Sequence, residues 1–536
     1  MFVREHAYNA VEKYCKRAKE TDMKAETNEK KELTPGTQTM QQAAAVSSPL
    51  FESGGEFVLP DYLPKVQKVL RLEANALPPT RYMSGSEAQM SGSVLHTLIY
   101  LGEDGEMSAA VLPSKYEFTV PTAGLNAPEV EAPVRVDALT YRLSAPRKIN
   151  IRTRLAAKPQ VTEVAEITPR RTPEKIDGLH TLEGEADSVE TRYVKLPDIE
   201  LADSIDVSGA DVRPIWCGAT AAVTDVRAMA DGATLRGDVC VKVLVLDGNT
   251  PKMLRKKIPF EERLDAELTR GTTVTACADV LSTEAGREPE GGNIYVECVV
   301  SLTCRTDTPR RIPVTEDAFS ECADGTVEMR KLPTARLVFA RTGVYGAGGS
   351  LPLASMGLGG ADSVLDASGA VTVDEANAAD GRVSITGRCM LNVICHTPDG
   401  ITSGEGTMPV RLTLDAETPA GTEVMTTARL ADLRARIDGE NLICDADVAL
   451  TAEGTVRGEC TVVGMIDFTA AKPVAKCPYP LAVVYPCGDS LWTVAKENHT
   501  APERIAELNH LTAPVSTWQS AESLYGKNSL ILENKQ

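Results

Sequence analysis

A strand-like pattern that recurs three times constrains the fold of this chain more than any other feature. Each copy begins at a glycine, Gly92, Gly237 or Gly387, and places its core-type residues at every second position after it. These positions hold Val94, His96, Leu98 and Tyr100 in the first copy, Val239, Val241, Val243 and Val245 in the second, and Cys389, Leu391, Val393 and Cys395 in the third. Because successive side chains of a β-strand point to opposite faces, this period predicts a strand with one buried face, opened by each glycine. We therefore interpret His96 as a core or edge residue rather than a ligand.

A second alternating strand follows in every copy. Its positions are Ile149, Ile151, Thr153 and Leu155 in the first copy, Ile294, Val296, Cys298, Val300 and Leu302 in the second, and Leu442, Cys444, Ala446, Val448 and Leu450 in the third. The copies are about 140 residues apart, which is the size of a domain rather than of a solenoid repeat. The sequence thus predicts a mainly β protein with three β-rich domains, built as sandwiches or open barrels, at residues 46–180, 181–330 and 331–475.

Two further stretches lack this pattern. Residues 1–45 combine a short helical stripe with a run of charged residues, and we interpret them as a helical or disordered tail and linker. Gly343–Ser350 is glycine-rich and superficially similar to a dinucleotide-binding loop. Leu351 stands where that motif needs its third glycine, so we expect a flexible segment here instead.

The last segment, residues 476–536, has a different order of elements. Alternation at Leu481, Val483 and Tyr485 predicts a strand, and the run 529–532 predicts a closing strand. Two short helices are expected between them. Asp489 or Ser490 would cap the first and Thr500 the second, because their side chains accept hydrogen bonds from the free N–H groups of a first helical turn. In so small a module we expect Trp492 to fill the core.

Composition narrows the function classes. The formal net charge is −19 and only 4% of residues are aromatic, which argues against nucleic acid and anionic lipid as partners. No signal-type apolar core begins the chain, and no apolar run is long enough for a membrane span, so we expect no membrane insertion and a cytoplasmic location. The thirteen cysteines include no Cys-x-x-Cys pair. Cys298 with Cys304, and Cys389 with Cys395, share strand faces, and we interpret them as small core residues of a reducing compartment.

Local signatures of reaction chemistry are missing from the sequence. The six histidines are all more than four residues apart, and neither a zinc-protease nor a serine-hydrolase motif occurs. Asp445 and Asp447 are spaced like a carboxylate pair but alternate with Cys444 and Ala446, as on a solvated strand face. We therefore predict no catalytic residue, no metal ligand and no cofactor, and expect a binding protein rather than an enzyme.

The C-terminal segment resembles LysM, a small βααβ module that binds glycans containing N-acetyl sugars. The resemblance rests on Tyr485–Ala495, Ile505–Asn509 and Ser529–Leu532. It implies a shallow ligand groove between two loops, formed here by Gly488, Asp489, Ser490 and Leu491 on the first loop and by Asn509, His510 and Leu511 on the second. Acetamido groups suit such a groove because backbone donors and acceptors match their amide, while an apolar side chain packs on the methyl.

The β repeats followed by this module resemble the SPOCS family, in the domain order of SipL-like spore-coat morphogenesis proteins. That resemblance implies a non-enzymatic scaffold on the mother-cell side of the forespore envelope, in which the module docks a spore-coat scaffold protein. The alternative is peptidoglycan binding through the LysM groove. A lone module of this kind would hold glycan weakly because a shallow groove buries little area.

Overall fold

The computed structural model describes residues 38–207, 211–289, 292–474, 481–511, 517–521, 525–526 and 529–533. Most of these residues lie in strands, which confirms the prediction of a mainly β protein. The expected tail falls mostly outside the described residues, since the description begins at Gln38. Thr39–Ala44, which we had assigned to that tail, forms a strand with Met40 buried.

The strands fall into three consecutive groups. Strand group 1 contains β1 (Thr39–Ala44), β2 (Leu50–Val58), β3 (Val66–Ala76), β4 (Thr80–Ser84), β5 (Glu87–Gly102), β6 (Met107–Pro121), β7 (Glu129–Glu131), β8 (Val134–Ala145), β9 (Lys148–Ala157) and β10 (Gln160–Glu166), and β11 (Arg170–Thr172) follows it. Strand group 2 contains β12 (Leu179–Lys195), β13 (Ile199–Ile205), β14 (Val212–Met229), β15 (Gly232–Asp247), β16 (Thr250–Asp265), β17 (Thr273–Arg287) and β18 (Ile294–Ser320). Strand group 3 contains β19 (Ala323–Pro352), a 3₁₀ turn (Leu353–Met356), β20 (Ser363–Ala379), β21 (Arg382–Thr397), β22 (Gly400–Asp415), β23 (Thr422–Asp438) and β24 (Asn441–Pro473). Two of our predicted boundaries, after residues 180 and 330, fall inside β12 and β19.

The same antiparallel pairing recurs in each group. One sheet is a meander whose middle strand is β5, β15 or β21. In the second sheet a late strand, β9, β18 or β24, pairs with an early strand on one side and with β8, β17 or β23 on the other. The early partners are β2 in group 1, β12 and β13 in group 2, and β19 in group 3.

The two alternating patterns form the core of each group. In group 2, Val239 to Val245 on β15 and Ile294 to Cys304 on β18 belong to one buried cluster, and the equivalent residues of β21 and β24 do the same in group 3. Cys298 and Cys395 are buried with free thiols, as expected for small core residues. His96 is also buried, and its ring nitrogens contact the Leu112 carbonyl (2.9 Å) and the Thr153 hydroxyl (2.7 Å). Burial lowers the pKa of His96, which is confirmed as a core residue.

The glycines at the start of each pattern have a different role from the expected one. Gly92, Gly237 and Gly387 do not open their strands but lie five residues inside them. A Cβ at Gly92 would overlap the ring of Tyr116, and one at Gly237 would overlap the ring of Phe260. Gly92 and Gly237 therefore make room for an aromatic ring of the neighbouring strand, whereas at Gly387 a Cβ would overlap the Thr372 carbonyl.

The expectation of a flexible segment at Gly343–Ser350 was wrong. These residues belong to β19 and pair in register with β24, from Gly343 opposite Leu450 to Ser350 opposite Ile443. At Gly349 a side chain would collide with Met408 of β22. Gly349 therefore serves close packing between strands rather than loop mobility.

The three groups meet at equivalent positions on the outer faces of their middle strands. Ile99, Leu244 and Ile394 each lie seven residues after the glycine of their pattern, and all three pack in one buried cluster. In every group the strand opposite carries a register shift at this point, between Val69 and Arg71, Pro214 and Trp216, or Val364 and Asp366. The residues that the shifts leave unpaired, Leu70, Ile215 and Leu365, join the same cluster. A β-bulge repeated in all three groups thus turns apolar side chains toward their shared junction.

A buried ion cluster lies beside this apolar junction. Arg71 of group 1 and Asp366 of group 3 have side chains that are 0% and 1% exposed, and Arg71 Nη1 lies 2.5 Å from Asp366 Oδ2. Two cations of group 2, Lys242 and Arg255, lie 3.2 and 3.4 Å from Asp366 Oδ1. Burial opposes ionisation of Asp366, but the charges of Arg71 and Lys242 outweigh it and hold the pKa of Asp366 below its ordinary value. One carboxylate therefore joins all three strand groups.

We expect Asp366→Ala to lower the free energy of unfolding by about 3–5 kcal/mol, because it removes the buried carboxylate that pairs with the Arg71 guanidinium. Glu73, whose carboxylate is partly exposed and lies 3.6 Å from Arg71 Nε, is a weaker partner. Urea unfolding of the full chain measures the loss of stability. Asp374→Ala is the matched control, since Asp374 forms an exposed pair with Arg388 on the same sheet and should cost about 0–1 kcal/mol. Because the pKa of Asp366 is lowered on folding, its contribution should be complete above about pH 4 and lost on further acidification. Equal costs for the two variants would contradict the role of Asp366.

Candidate binding surface of the C-terminal module

The C-terminal module consists of β25 (Leu481–Val484), α1 (Leu491–Glu497), α2 (Pro502–Leu508) and β26 (Leu530–Glu533), and the two strands pair antiparallel. The turn before α1 passes through Gly488 at φ +97°, a conformation that favours glycine. Ser490 caps α1, because its hydroxyl accepts a hydrogen bond from the Thr493 N–H at 3.0 Å. Thr500 does not cap α2 as expected. Its hydroxyl donates to the Asn498 carbonyl, and Ala501 occupies the N-cap position without a side-chain bond.

The residues that we assigned to a ligand groove differ in exposure. Gly488, Asp489 and His510 are exposed and Leu511 is half-buried, whereas Ser490, Leu491 and Asn509 are buried. The first loop contacts Ala521, because the Asp489 carbonyl accepts a hydrogen bond from the Ala521 N–H at 2.9 Å. Three of the seven expected groove residues are thus exposed.

Asn509 ties the second loop to the closing strand. Its amide nitrogen donates to the Ile505 and Ile531 carbonyls, and its oxygen accepts the Ile531 N–H, each at 2.8 Å. These bonds use both the donor and the acceptor atoms of the Asn509 side-chain amide. Asn509 therefore holds the loop in place rather than presenting its amide to a ligand.

Trp492 is buried, as expected, but the core around it includes strand group 2. Leu182 of β12 and Phe319 of β18 belong to the same buried cluster as α1, and the Phe319 and Trp492 rings meet edge to face at 5.0 Å. The Trp492 indole donates to Asp317 Oδ2 at 2.9 Å. Lys496 Nζ lies 2.7 Å from Asp317 Oδ1. The module therefore packs on group 2 around one carboxylate.

The neighbouring carboxylate contacts a second tryptophan of the module. A register shift between β12 and β18 leaves Glu316 unpaired beside Asp317. Glu316 Oε2 accepts a hydrogen bond from the Trp518 indole at 2.7 Å, and its side chain lies over Gly184, where a Cβ would overlap it. A bulge in β18 thus presents two consecutive acceptors to two indole N–H groups of the module.

An apolar face of the module stays exposed. Leu481 and Val483 are both 58% exposed, Tyr485 is 67% exposed, and Ile531, opposite Val483 in the sheet, is 44% exposed. The alternate residues of the same strands, such as Val484 and Leu532, face the core. Large apolar side chains that share one exposed face are typical of an interaction surface.

The sequence analysis used Leu481, Val483 and Tyr485 only to predict the strand and did not recognise their exposure. Alternation identifies two faces, but both faces of this strand are apolar, so the pattern alone does not say which is buried. The sequence analysis also did not identify Asp317 as a partner of Trp492, because Asp317 lies 175 residues earlier in the chain.

Comparisons of the chain with protein-family models, with curated proteins and with solved structures each found no match. Across the residues that the structure describes, no helix has the length and apolar character to cross a membrane. Within the same residues, no group of three or more His, Cys, Asp or Glu side chains is arranged to hold a metal ion.

We expect a double-mutant cycle of Trp492→Phe and Asp317→Asn to give a coupling energy of about 1.5–3 kcal/mol, because their hydrogen bond is buried and charge-assisted. Native-state hydrogen exchange of the amides in α1 and α2 measures the opening free energy of the module. The matched control is the cycle of Trp518→Phe and Glu316→Gln. Trp518 is 53% exposed, so water competes for its bond and the coupling should be about 0.5 kcal/mol. Additive effects of the first pair would show that Asp317 does not hold the module.

Proposed function

We propose that this chain is a non-enzymatic scaffold of spore-coat assembly that docks a coat protein through its C-terminal LysM-like module. The observation that carries the proposal is the exposed apolar face formed by Leu481, Val483, Tyr485 and Ile531. A protein partner with a complementary apolar patch gains most from covering such a face, since burial of apolar surface drives association. The resemblance to SPOCS and LysM proteins supports the cellular setting, the mother-cell cytoplasm at the forespore envelope.

The attachment of the module to strand group 2 supports a scaffold role. A scaffold must present its docking surface in a defined direction, and the contacts of Asp317 with Trp492 and of Glu316 with Trp518 hold the module against β18. In this proposal the three strand groups act as SPOCS-like domains that form the body from which the module projects.

Glycan binding is the second candidate. Its support is the resemblance to LysM and the exposure of Gly488, Asp489 and His510 at the expected groove. Asn509 and Ser490 have their polar side-chain atoms engaged in internal hydrogen bonds, so few groove side chains are left to recognise an acetamido group. We therefore favour the protein partner.

Two full-length variants distinguish these functions. The first, Val483→Asp with Ile531→Asp, places charge on the apolar face, and the second, Asp489→Ala with His510→Ala, removes exposed groove side chains. We expect photo-crosslinking in sporulating cells to join wild type and the groove variant to the same coat protein, and the apolar-face variant to lose it. Calorimetry with N-acetylglucosamine oligomers should show weak or no binding for all three proteins. Binding at micromolar or lower Kd that only the groove variant loses would favour the glycan function instead.

A further inference from the structure

A second buried polar cluster lies where the late strands β18 and β24 meet the start of β10, apart from the proposed docking face. Gln160, Arg305 and Glu453 each lie eleven residues after the first core residue of their late-strand pattern, Ile149, Ile294 or Leu442. Arg305 Nη1 is 2.5 Å from Glu453 Oε2 and 3.4 Å from Gln160 Oε1. Three positions that are equivalent by sequence therefore meet in space, and they carry a neutral amide, a cation and an acid.

The cluster contains more acid than base. Asp307 is 0% exposed and also contacts Arg305, whose Nε lies 3.0 Å from Asp307 Oδ2, while Glu453 is only 6% exposed. One guanidinium thus faces two buried carboxyl groups. Thr191 donates a hydrogen bond to Asp307 Oδ1 at 2.6 Å, whereas the Thr275 hydroxyl is 3.4 Å from Glu453 Oε1. Glu453 is therefore the less well solvated of the two acids.

The contacts of the two acids are also incomplete. Asp307 Oδ2 and Glu453 Oε2 are buried, and among the described residues neither accepts a hydrogen bond with acceptable geometry, although both lie close to Arg305. Two charged carboxylates sharing one cation in a buried site repel each other, so the arrangement favours a proton on one of them. Burial, reinforced by the charge of Asp307 and opposed by Arg305, raises the pKa of Glu453 to about 7.

Three further titratable groups near this site are acids, which cannot supply a compensating positive charge. Tyr193 of β12 packs its ring 5.9 Å from the Arg305 guanidinium, Cys277 lies on β17 and Glu131 on β7. Burial raises the pKa of all three groups, which favours their neutral forms. The charged pair of Asp279 with Arg429 joins groups 2 and 3 nearby and is balanced within itself.

We propose that this cluster is a pH-sensitive lock between strand groups 2 and 3, closed by a proton on Glu453 and loosened when that proton is lost. Loss of the proton adds a negative charge beside Arg305, which is already paired with Asp307. Separation of the groups would admit water to both carboxylates. The contact between the strand groups thus weakens as pH rises through neutrality.

The sign of the effect follows from proton linkage. A Glu whose pKa rises from about 4.3 in the unfolded chain to about 7 in the folded protein binds more protons when folded. Its contribution to stability is complete below about pH 4.3 and is lost as pH rises through about 7. The test therefore compares wild type with Glu453→Gln, which keeps the shape of the protonated side chain. Glu459→Gln is the matched control, because Glu459 lies on the same strand in an exposed pair with Lys331.

Urea unfolding of the full chains between pH 5.5 and 8.5 gives the main measurement. We expect the midpoint urea concentration of wild type and Glu459→Gln to fall with rising pH, and the fall to be smaller in Glu453→Gln. Every variant contains the same histidines, so the difference between variants isolates Glu453. The same pH profile in all three proteins would overturn the proposal.

Hydrogen exchange of wild type keeps the proposal testable if Glu453→Gln does not fold. After correction for the intrinsic pH dependence of exchange, amides of residues 302–307 and 450–455 should lose protection between pH 6 and 8. Amides of β15, in the core of group 2, should not. Unchanged protection around Arg305 and Glu453 across this interval would refute the lock.

Discussion

The middle strand of each strand group packs on both of its faces, and the rest of the structure depends on this double burial. Val241 and Val243 on one face of β15 pack inside group 2, while Leu244 on the other face reaches the junction with groups 1 and 3. A shift by one residue would exchange the two faces, so the register of each strand is determined by two different environments at once. The bulge opposite Ile99, Leu244 and Ile394 belongs to the same constraint, because it directs one more apolar side chain of each group into the junction.

The junctions give each strand group a distinct place. Arg71, Trp216 and Asp366 lie opposite the equivalent residues Ile99, Leu244 and Ile394, yet they are a cation, an aromatic ring and an acid. Identical residues at these positions would leave the groups interchangeable, whereas an arginine and an aspartate make a contact that only one order of groups satisfies. In the same way, the late strands β18 and β24 carry different residues, Arg305 and Glu453, at equivalent positions, and these two residues pair with each other. We infer that the buried charges specify the arrangement of the groups more than they add to its stability, in line with the desolvation cost of such pairs.

The sequence correctly predicted those buried strand faces that are marked by alternation of apolar residues within a single strand. The core faces of β15, β18, β21 and β24 could be read directly, because apolar residues repeat there with a period of two. The burial of the opposite faces could not be predicted from the sequence. On that face of β15, Lys242 and Leu244 are neighbours, and their partners come from other strand groups.

The glycine-rich run in β19 shows a second limit of the sequence analysis. Glycine marks loops and close packing alike, and only the register opposite β24 distinguishes them. At the candidate site, the strand residues Leu481 and Val483 could be identified, but not their exposure.

The C-terminal module depends on the body for part of its core. A module of about sixty residues is close to the lower size limit for independent folding. Here Leu182 and Phe319 of group 2 add to the cluster around Trp492. The acceptor for the buried Trp492 indole N–H is Asp317, which belongs to group 2 and not to the module. Folding of the module is thereby coupled to its docking on β18. The apolar face of Val483 and Ile531 points away from that contact, since the opposite face of the same two strands lies in the shared core. A partner that covers the exposed face therefore meets a surface whose orientation relative to group 2 is set by the residues that also complete the fold.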